Sequence, residues 1–153
     1  MMMDTTMTRV PNHTAKEINA RIQRDIEDSV AYYAEHRDEI DARLEELEAE
    51  WDIERTLEAN AAGFGLAGVM AGAFVDRRFL ALPALVTGFL MQHAVQGWCP
   101  PLPVFRRMGV RTAAEIDTER YALKILRGDF EEPTKAREGG NGLVGKVLRA
   151  VRR

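Results

Sequence analysis

Two apolar stretches rich in glycine and alanine, separated by a short charged turn, dominate the hydropathy pattern of this chain. No ionisable side chain occurs in residues 61–75 or in residues 79–92, and the charged triplet at positions 76–78 lies between them. A membrane-spanning helix needs about 20 mainly apolar residues, so each stretch is close to the lower limit for crossing a bilayer. The pattern predicts a transmembrane helical hairpin over residues 59–100.

Small residues recur at helical spacing in both apolar stretches. In lipid, burial against a second helix gains little over burial against acyl chains, so transmembrane helices associate where small side chains let their backbones approach. We therefore predict that the two helices pack antiparallel through these positions, which are Ala61, Gly65, Gly68 and Gly72 in the first stretch and Ala81, Ala84 and Gly88 in the second.

Residues 14–58 have the pattern of one long amphipathic helix, or of two helices joined without a sharp break. Neither glycine nor proline occurs in residues 12–62, and the sequence Thr14-Ala-Lys-Glu17 fits a capping box. Apolar residues recur every three or four positions, as in a coiled-coil seam, which predicts assembly with a second copy or another protein through residues 18–51. The members of this seam are Ile26, Val30, Tyr33, Ile40, Leu44, Leu47 and Trp51, with Arg37 interrupting the series.

The remaining segments are predicted to be short or irregular. We expect residues 1–13 to be disordered and residues 101–128 to form a juxtamembrane segment followed by a helix. That helix would begin at the capping box Thr112-Ala-Ala-Glu115 and stop at Gly128. We predict that residues 129–153 form a linker and a basic amphipathic tail. Two interpretations of the tail stay open, namely a helix on an anionic membrane surface and a frayed tail in water.

The charge distribution divides the chain into an acidic front half and a basic back half. Residues 1–58 carry 16 acidic and 7 basic side chains, whereas residues 59–153 carry 8 acidic and 14 basic ones. The N-terminal residues lack the apolar core of a secretory signal peptide, so we expect the hairpin itself to direct membrane insertion. We expect a lipid bilayer as the main partner and no nucleic acid.

The sequence contains few of the residue patterns that catalysis or cofactor binding requires. Gly63-Phe-Gly65-Leu-Ala-Gly68 matches the dinucleotide fingerprint, but a long helix rather than a strand precedes it, so we interpret these glycines as packing residues. The only serine, Ser29, has no histidine near it in sequence. We therefore predict no enzyme activity, no cofactor and no metal site, since the three histidines are scattered at His13, His36 and His93.

Cys99, the single cysteine, is the residue with the most reactive side chain. It lies where the second predicted span ends, before two prolines and close in sequence to Arg106 and Arg107. Neighbouring cations lower the pKa of a thiol and make it a better nucleophile, so these three residues form a candidate thiol site. The alternative is that Cys99 is a small apolar residue at a helix end.

Polar side chains occur at matching distances from the turn on both predicted spans. Polar groups at membrane depth turn inward and pair with each other. We predict a structural hydrogen-bonded lock made by Asn60, Gln92, His93 and Gln96.

The segment Gln92-His-Ala-Val-Gln-Gly-Trp-Cys-Pro-Pro, followed by Phe105-Arg-Arg-Met-Gly-Val, resembles the YgaP-like transmembrane domain family. The resemblance covers residues 54 to about 112. It implies a small bacterial inner-membrane protein of largely unassigned function, whose domain occurs alone and also fused to rhodanese sulfurtransferases. This chain has no rhodanese-sized α/β segment, so the resemblance does not extend to sulfurtransferase activity.

The sequence as a whole predicts an all-α protein with a long N-terminal amphipathic helix, a two-helix transmembrane hairpin and short C-terminal helices. The leading functional hypothesis is a non-enzymatic membrane protein whose cytoplasmic helices assemble or recruit a partner. The alternatives are a sulfur-handling accessory that carries a persulfide on Cys99, and a soluble helical bundle with the hairpin as its core. Cations flanking the hairpin outnumber those in its turn, which predicts cytoplasmic termini.

Overall fold

The computed structural model describes residues 7–130 and Leu148, and every regular element in that part of the chain is helical. The all-α class is therefore confirmed. The chain divides into two compact units, one formed by residues 1–23 and 51–115 and the other by residues 24–50 and 116–153. The helices are α1 (Arg9–Asn12), α2 (Lys16–Glu35), α3 (Ile40–Ala49), α4 (Ile53–Phe74), α5 (Ala81–Gln96), α6 (Leu102–Arg107) and α7 (Ala113–Arg127), with 3-10 turns at Arg37–Glu39 and Arg77–Leu80.

The predicted helix over residues 14–58 is interrupted twice. The first interruption is the 3-10 turn that follows His36, and the second is an extended step at Glu50, which has φ −65° and ψ 134°. Asp52 then caps α4, because its carboxylate accepts a hydrogen bond of 2.7 Å from the backbone N–H of Arg55. An aspartate that satisfies the free donors of a new helix competes with continuation of the old one. The sequence predicted one helix, or two joined without a sharp break, whereas residues 14–58 contain α2, α3 and the start of α4.

The N-terminal residues that the structure describes are ordered, which corrects the prediction of disorder over residues 1–13 for residues 7–13. Val10, in α1, is buried in a cluster with Ile53, Leu57, Cys99 and Leu102. The prediction for residues 1–6 falls outside the described residues. Burial of Val10 orders this short segment through the hydrophobic effect. The sequence did not predict this burial, because the segment has no apolar periodicity.

The capping box predicted at Thr14 does not form. Its hydroxyl donates to the carbonyl of Val10 at 2.8 Å and accepts from Nε of Arg106 at 3.2 Å. The capping box at the start of α7 does form, because the N–H of Glu115 donates to Oγ1 of Thr112 and the Thr112 N–H donates back to the Glu115 carboxylate. The two segments have the same sequence pattern, so contacts with distant residues decide whether a capping box forms.

The apolar seam predicted over residues 18–51 is covered inside the chain. In the unit formed by residues 24–50 and 116–153, the cluster Ile40, Leu44, Leu47, Ile116 and Leu123 joins α3 to α7. The seam therefore finds its partner helix in α7, and its last member, Trp51, is exposed. This result removes the observation on which assembly through residues 18–51 was based.

A buried carboxylate reinforces the packing of this unit. Glu119, on α7, is fully buried and accepts hydrogen bonds from Ser29 at 2.6 Å and from Arg43 at 2.9 Å. The acidic face of α3, in contrast, is largely exposed, since Glu45, Glu46 and Glu48 are all exposed. The one serine of the sequence thus has a structural role as a partner of this carboxylate. Helix α7 ends at Gly128, which has φ +90°.

Helices α4 and α5 lie side by side, and their contact uses glycine on one helix and large side chains on the other. A Cβ added at Gly68 would lie 2.5 Å from Cδ of Pro83, and one added at Gly72 would lie 2.5 Å from Cδ2 of Leu80. The corresponding prediction for the second stretch is wrong, because Ala81, Ala84 and Gly88 are exposed.

The contact is close near the turn and open further from it. A Cβ added at Gly65 or at Gly88 would meet nothing within 4 Å, and Ala61 is half-buried. Leu80 of the turn and Pro83 of α5 fill the groove that the glycines leave on α4, so a second row of small residues is not needed. The predicted contact is therefore limited to Gly68 and Gly72 on α4.

The outer faces of α4 and α5 expose large apolar side chains. Within the described residues, Arg77–Gln96 is the one helix long and apolar enough to cross a membrane, and 6% of its apolar window is buried in the protein. Helix α4 is less apolar, because its first two turns carry charged residues and its centre is rich in glycine. The exposed side chains include Phe64, Leu66, Val69, Met70 and Phe74 on α4, and Leu82, Leu85, Met91 and Val95 on α5.

Candidate functional site

An apolar cavity separates α4 from α5 at the end of the pair that lies away from the turn. Its volume is about 240 Å³. One wall comes from α4, the other from α5, and the segment that follows α5 closes the end. The lining residues are Leu57, Asn60, Ala61, Phe64, Val86, Phe89, Leu90, Cys99, Pro100, Pro101 and Phe105.

Cys99 closes this cavity, and it is 3% exposed. The predicted thiol site required cations beside the sulfur, but Arg106 is directed elsewhere. Its guanidinium forms a bidentate pair with Glu115, with two N–H···O distances of 2.7 Å. Arg107 is exposed on the surface. The predicted role of Arg106 beside Cys99 is therefore wrong, because Glu115 binds its buried guanidinium.

Arg106 is fully buried and saturated with hydrogen bonds. Besides Glu115, it donates to Oγ1 of Thr14, to Oδ1 of Asn19 at 3.0 Å and to the carbonyl of Val110 at 3.0 Å. A buried guanidinium is tolerated when all its donors are paired in this way. Arg106 thus ties the start of α2 to α6 and α7 within its unit, and its role is structural.

A different set of side chains surrounds the thiol. Nε2 of His93, on α5, lies 2.8 Å from Oε2 of Glu54, on α4. The Cys99 side chain interacts with the same imidazole ring. The other carboxylate oxygen of Glu54 accepts a hydrogen bond of 2.8 Å from Arg9. Four residues from three parts of the chain therefore meet at the base of the helix pair.

Glu54 fixes the protonation pattern of His93. The hydrogen bond from His93 is the largest influence on Glu54 and, with that from Arg9, outweighs burial, so the pKa of Glu54 lies below its ordinary value. A carboxylate at Nε2 favours the tautomer that carries its proton there. Nδ1 lies on the other side of the ring, is buried, and meets no partner at hydrogen-bond distance among the described residues.

This arrangement places an imidazole between a carboxylate and a thiol, and none of the cations predicted beside Cys99 takes part. His93 and Cys99 are both buried, so the set is a polar contact inside the helix pair.

Gly97 shapes the segment that carries Cys99. It ends α5 in the left-handed region with φ +74°, and its N–H donates to the carbonyl of His93 at 2.7 Å. A Cβ at this position would lie 2.7 Å from Cβ of Arg9. Glycine is needed both for the backbone conformation and for the close approach of α1.

The polar lock predicted across the two spans does not form. Asn60 donates to the carbonyl of Thr56 in its own helix, and Gln96 is exposed. His93 is buried and pairs with Glu54 instead, and Gln92 is half-buried. Sequence reasoning missed Glu54 and Arg9 because both precede the apolar stretch, and only the register of α4 against α5 brings Glu54 to His93.

No protein-family model, curated protein or solved structure matches this chain. The resemblance to the YgaP-like family therefore stays a prediction, and the site has to be interpreted from its own geometry.

Proposed function

We propose that this chain is a non-enzymatic membrane protein in which α4 and α5 insert together as a hairpin, while the flanking helices, those before and after the hairpin, lie on one side of the bilayer. The proposal is supported by the exposed apolar faces of both helices. Soluble monomers rarely expose contiguous apolar patches larger than a few hundred Å², and larger ones mark contacts with membranes or other proteins.

The packing of the flanking segments supports two crossings rather than one. Val10 and Ile53, which precede the apolar region, share a cluster with Cys99 and Leu102, which follow it. Segments packed together in this way lie on the same side of a membrane. If Arg77–Gln96 crosses the bilayer, the chain must cross it a second time, and only α4 is available between these contacts. This is the observation that carries the proposal.

The length of α4 is compatible with this role at the lower limit. Its uncharged part, residues 59–75, would extend about 25 Å as a helix, compared with a hydrocarbon thickness of about 30 Å. Contact with α5 through Gly68 and Gly72 compensates for its weak hydropathy, because small residues favour helix association in lipid. We infer that α5 is the dominant span and that α4 inserts with it.

The charges favour one orientation. The turn carries Arg77 and Arg78, whereas the flanking segments carry more arginines, including Arg55, Arg106, Arg107 and Arg111. By the positive-inside rule, both flanks face the cytoplasm. Together with the resemblance noted above, this leads us to propose the bacterial inner membrane as the location.

The flanking helices are the part available for partner recruitment. Their apolar seam is already covered by α7, so recruitment of another protein or a second copy would use exposed surface. The sulfur-carrier alternative needs a water-accessible thiolate, which the burial of Cys99 does not favour. The soluble-bundle alternative needs a buried hairpin, and the exposure of α5 does not favour it.

Fractionation of membranes with an alkaline carbonate wash tests the proposal. We expect the full-length protein to stay in the washed pellet, because an inserted hairpin is held by the hydrophobic effect and not by charge. A peripheral protein released by carbonate serves as the control for the wash. Recovery of this chain in the carbonate supernatant or in the soluble fraction would contradict membrane insertion.

A further inference from the structure

Helix α6 is apolar on the face that it turns away from the protein. Leu102 and Arg106, one turn apart, are fully buried. Val104 and Met108, also one turn apart, are 55% and 72% exposed, and the exposed Pro101 precedes them on the same side. A helix that borders water normally carries polar residues on its outer face. The outer face of α6, made by these three exposed residues, therefore has the composition of a surface that contacts something other than water.

The position of α6 connects this outer face to the membrane in the proposed hairpin. Only five residues separate the end of α5 at Gln96 from the start of α6 at Leu102. Phe105 of α6 lines the cavity between α4 and α5, and Leu102 packs with Ile53 at the start of α4. All of these contacts lie within one of the two compact units. They hold α6 beside the level at which both helices would leave the hydrocarbon, where the headgroup region begins.

Two arginine side chains lie at the C-terminal end of α6. Arg107 is the last residue of the helix and is exposed. Arg21, on α2, is also exposed, and its guanidinium donates a hydrogen bond of 2.8 Å to the carbonyl of Arg107. In the part of the chain that the structure describes, neither guanidinium is paired with a carboxylate, in contrast to Arg106, which binds Glu115. Positive charge without an internal counterion thus borders the outer face of α6.

We propose that the outer face of α6, together with Arg21 and Arg107, binds anionic phospholipids at the surface of the bilayer. Val104 and Met108 would insert between the headgroups, and the two guanidiniums would bind lipid phosphates. The inference rests on the proposed function, because the hairpin brings α6 to the bilayer.

Two observations favour a lipid as the occupant of this surface. The apolar face follows the proposed span α5 after a short connection, so it extends the apolar surface of the hairpin toward the headgroups. The unpaired positive charge complements the negative charge of an anionic headgroup. An acidic segment of another protein would match the charge, but it would not account for the apolar side chains next to a membrane span.

The affinity of this surface should have a part that depends on charge and a part that does not. Each lysine or arginine near an anionic membrane surface raises the affinity roughly five-fold, so two arginines together contribute roughly 25-fold. Burial of the apolar side chains adds a contribution that does not depend on lipid charge. The two contributions can therefore be measured separately.

Native mass spectrometry of the full-length protein tests the charged part of the surface. The protein would be released from neutral detergent micelles that contain equal amounts of anionic dioleoylphosphatidylglycerol and zwitterionic dioleoylphosphatidylcholine. We expect preferential retention of the anionic lipid, and a roughly 25-fold weaker affinity for it in the double variant Arg21→Gln/Arg107→Gln. Equal retention of both lipids by the wild type would overturn the inference.

A second pair of arginines provides the matched control. Arg24 and Arg37 are exposed and belong to the other compact unit. The double variant Arg24→Gln/Arg37→Gln makes the same change in net charge and should keep the wild-type affinity for the anionic lipid. An equal loss of affinity in both double variants would mean that net charge is responsible, and would contradict a binding surface at α6.

The salt concentration provides an independent check on the two exposed arginines. An increase from about 0.1 M to about 1 M shortens the Debye length from about 10 Å to about 3 Å. The preference for the anionic lipid should therefore fall in the wild type. A preference that stays unchanged at high salt would contradict the role of Arg21 and Arg107.

Insertion of the apolar side chains is tested in mixed vesicles of the same two lipids. A polarity-sensitive dye attached to Val104→Cys in a Cys99→Ala background should show blue-shifted emission and quenching by lipids that carry a nitroxide near the headgroup. The same dye at Ile125→Cys, on α7, should emit as it does in water, although Ile125 is as exposed as Val104. Emission at position 104 that matches emission in water would refute insertion and favour a protein as the occupant.

The outcomes also separate this inference from the proposed function. A protein that resists carbonate extraction but shows no preference for the anionic lipid would refute only the surface at α6. A protein that prefers the anionic lipid but is extracted from membranes by carbonate would refute only the membrane hairpin.

Discussion

Replacement of Arg106 with methionine is expected to lower the free energy of unfolding by about 3–5 kcal/mol, the usual cost of removing one partner of a buried ion pair. The substitution removes the bidentate contact with Glu115, which keeps only the hydrogen bond from the Thr112 N–H, and it leaves Thr14 and Asn19 without the guanidinium donor. Urea or thermal unfolding of the full-length protein in micelles, followed by circular dichroism, would measure the loss.

The neighbouring residue provides a matched control. Arg107→Met makes the same chemical change one position along α6, at an exposed side chain, and should shift the unfolding free energy by no more than about 0.5 kcal/mol. Equal destabilisation by the two substitutions would mean that loss of positive charge, and not loss of the buried pair, is responsible.

The same ion pair predicts a dependence on pH. Burial alone would raise the pKa of Glu115, but the hydrogen bonds from Arg106 and from the Thr112 backbone outweigh it and hold the pKa below its ordinary value. A lowered carboxyl pKa stabilises the fold fully above the ordinary value of about 4.3, and this contribution is lost as the pH falls through the folded-state pKa. In Glu115→Gln, that part of the acid sensitivity should be absent.

Replacement of Leu85 with arginine is expected to cause the largest loss of membrane insertion. Leu85 lies in the middle of the proposed second span and is 56% exposed on α5. An arginine at the centre of a spanning helix costs about 2.5–3.5 kcal/mol on insertion scales. The fraction of protein that resists carbonate extraction should therefore fall sharply.

Ile125→Arg is the control for this variant, because Ile125 has a comparable exposure of 64% but lies on α7, outside the proposed spans. At a site exposed to water the change from an apolar residue to arginine is close to neutral. The account predicts a strong effect at position 85 and none at position 125. Carbonate resistance unchanged in both variants would indicate that α5 does not contact lipid.

The sequence predicted the elements whose signals are local. The all-helical class, the start of α7 at its capping box and its end at Gly128 all follow from neighbouring residues. The close approach at Gly68 and Gly72 was also predicted, because only the smallest residues permit it.

Most of the errors came from contacts between distant parts of the chain. The use of Thr14 as a partner of Arg106 depends on a residue that no local pattern specifies, whereas the N-cap at Asp52 is local and was overlooked. The apolar seam correctly indicated a need for a partner helix, but periodicity does not say whether that partner is α7 or another molecule.

The environment of Cys99 depended most on the fold. Proximity in sequence suggested Arg106, whereas the tertiary fold brings His93 and Glu54 to the thiol and pairs Arg106 with Glu115. A cation that is near the thiol in sequence can be bound by another anion in the fold, as Arg106 is by Glu115, and then it does not act on the thiol.

The most direct test of the hairpin is the sidedness of three single cysteines placed in a Cys99→Ala background at Glu48, Arg77 and Asp117. In inverted membrane vesicles, a membrane-impermeant maleimide should label positions 48 and 117, and in intact spheroplasts it should label position 77 alone. This pattern requires two crossings, with α4 and α5 as the spans. Labelling of positions 48 and 77 from one side and of position 117 from the other would mean a single crossing and would contradict the account.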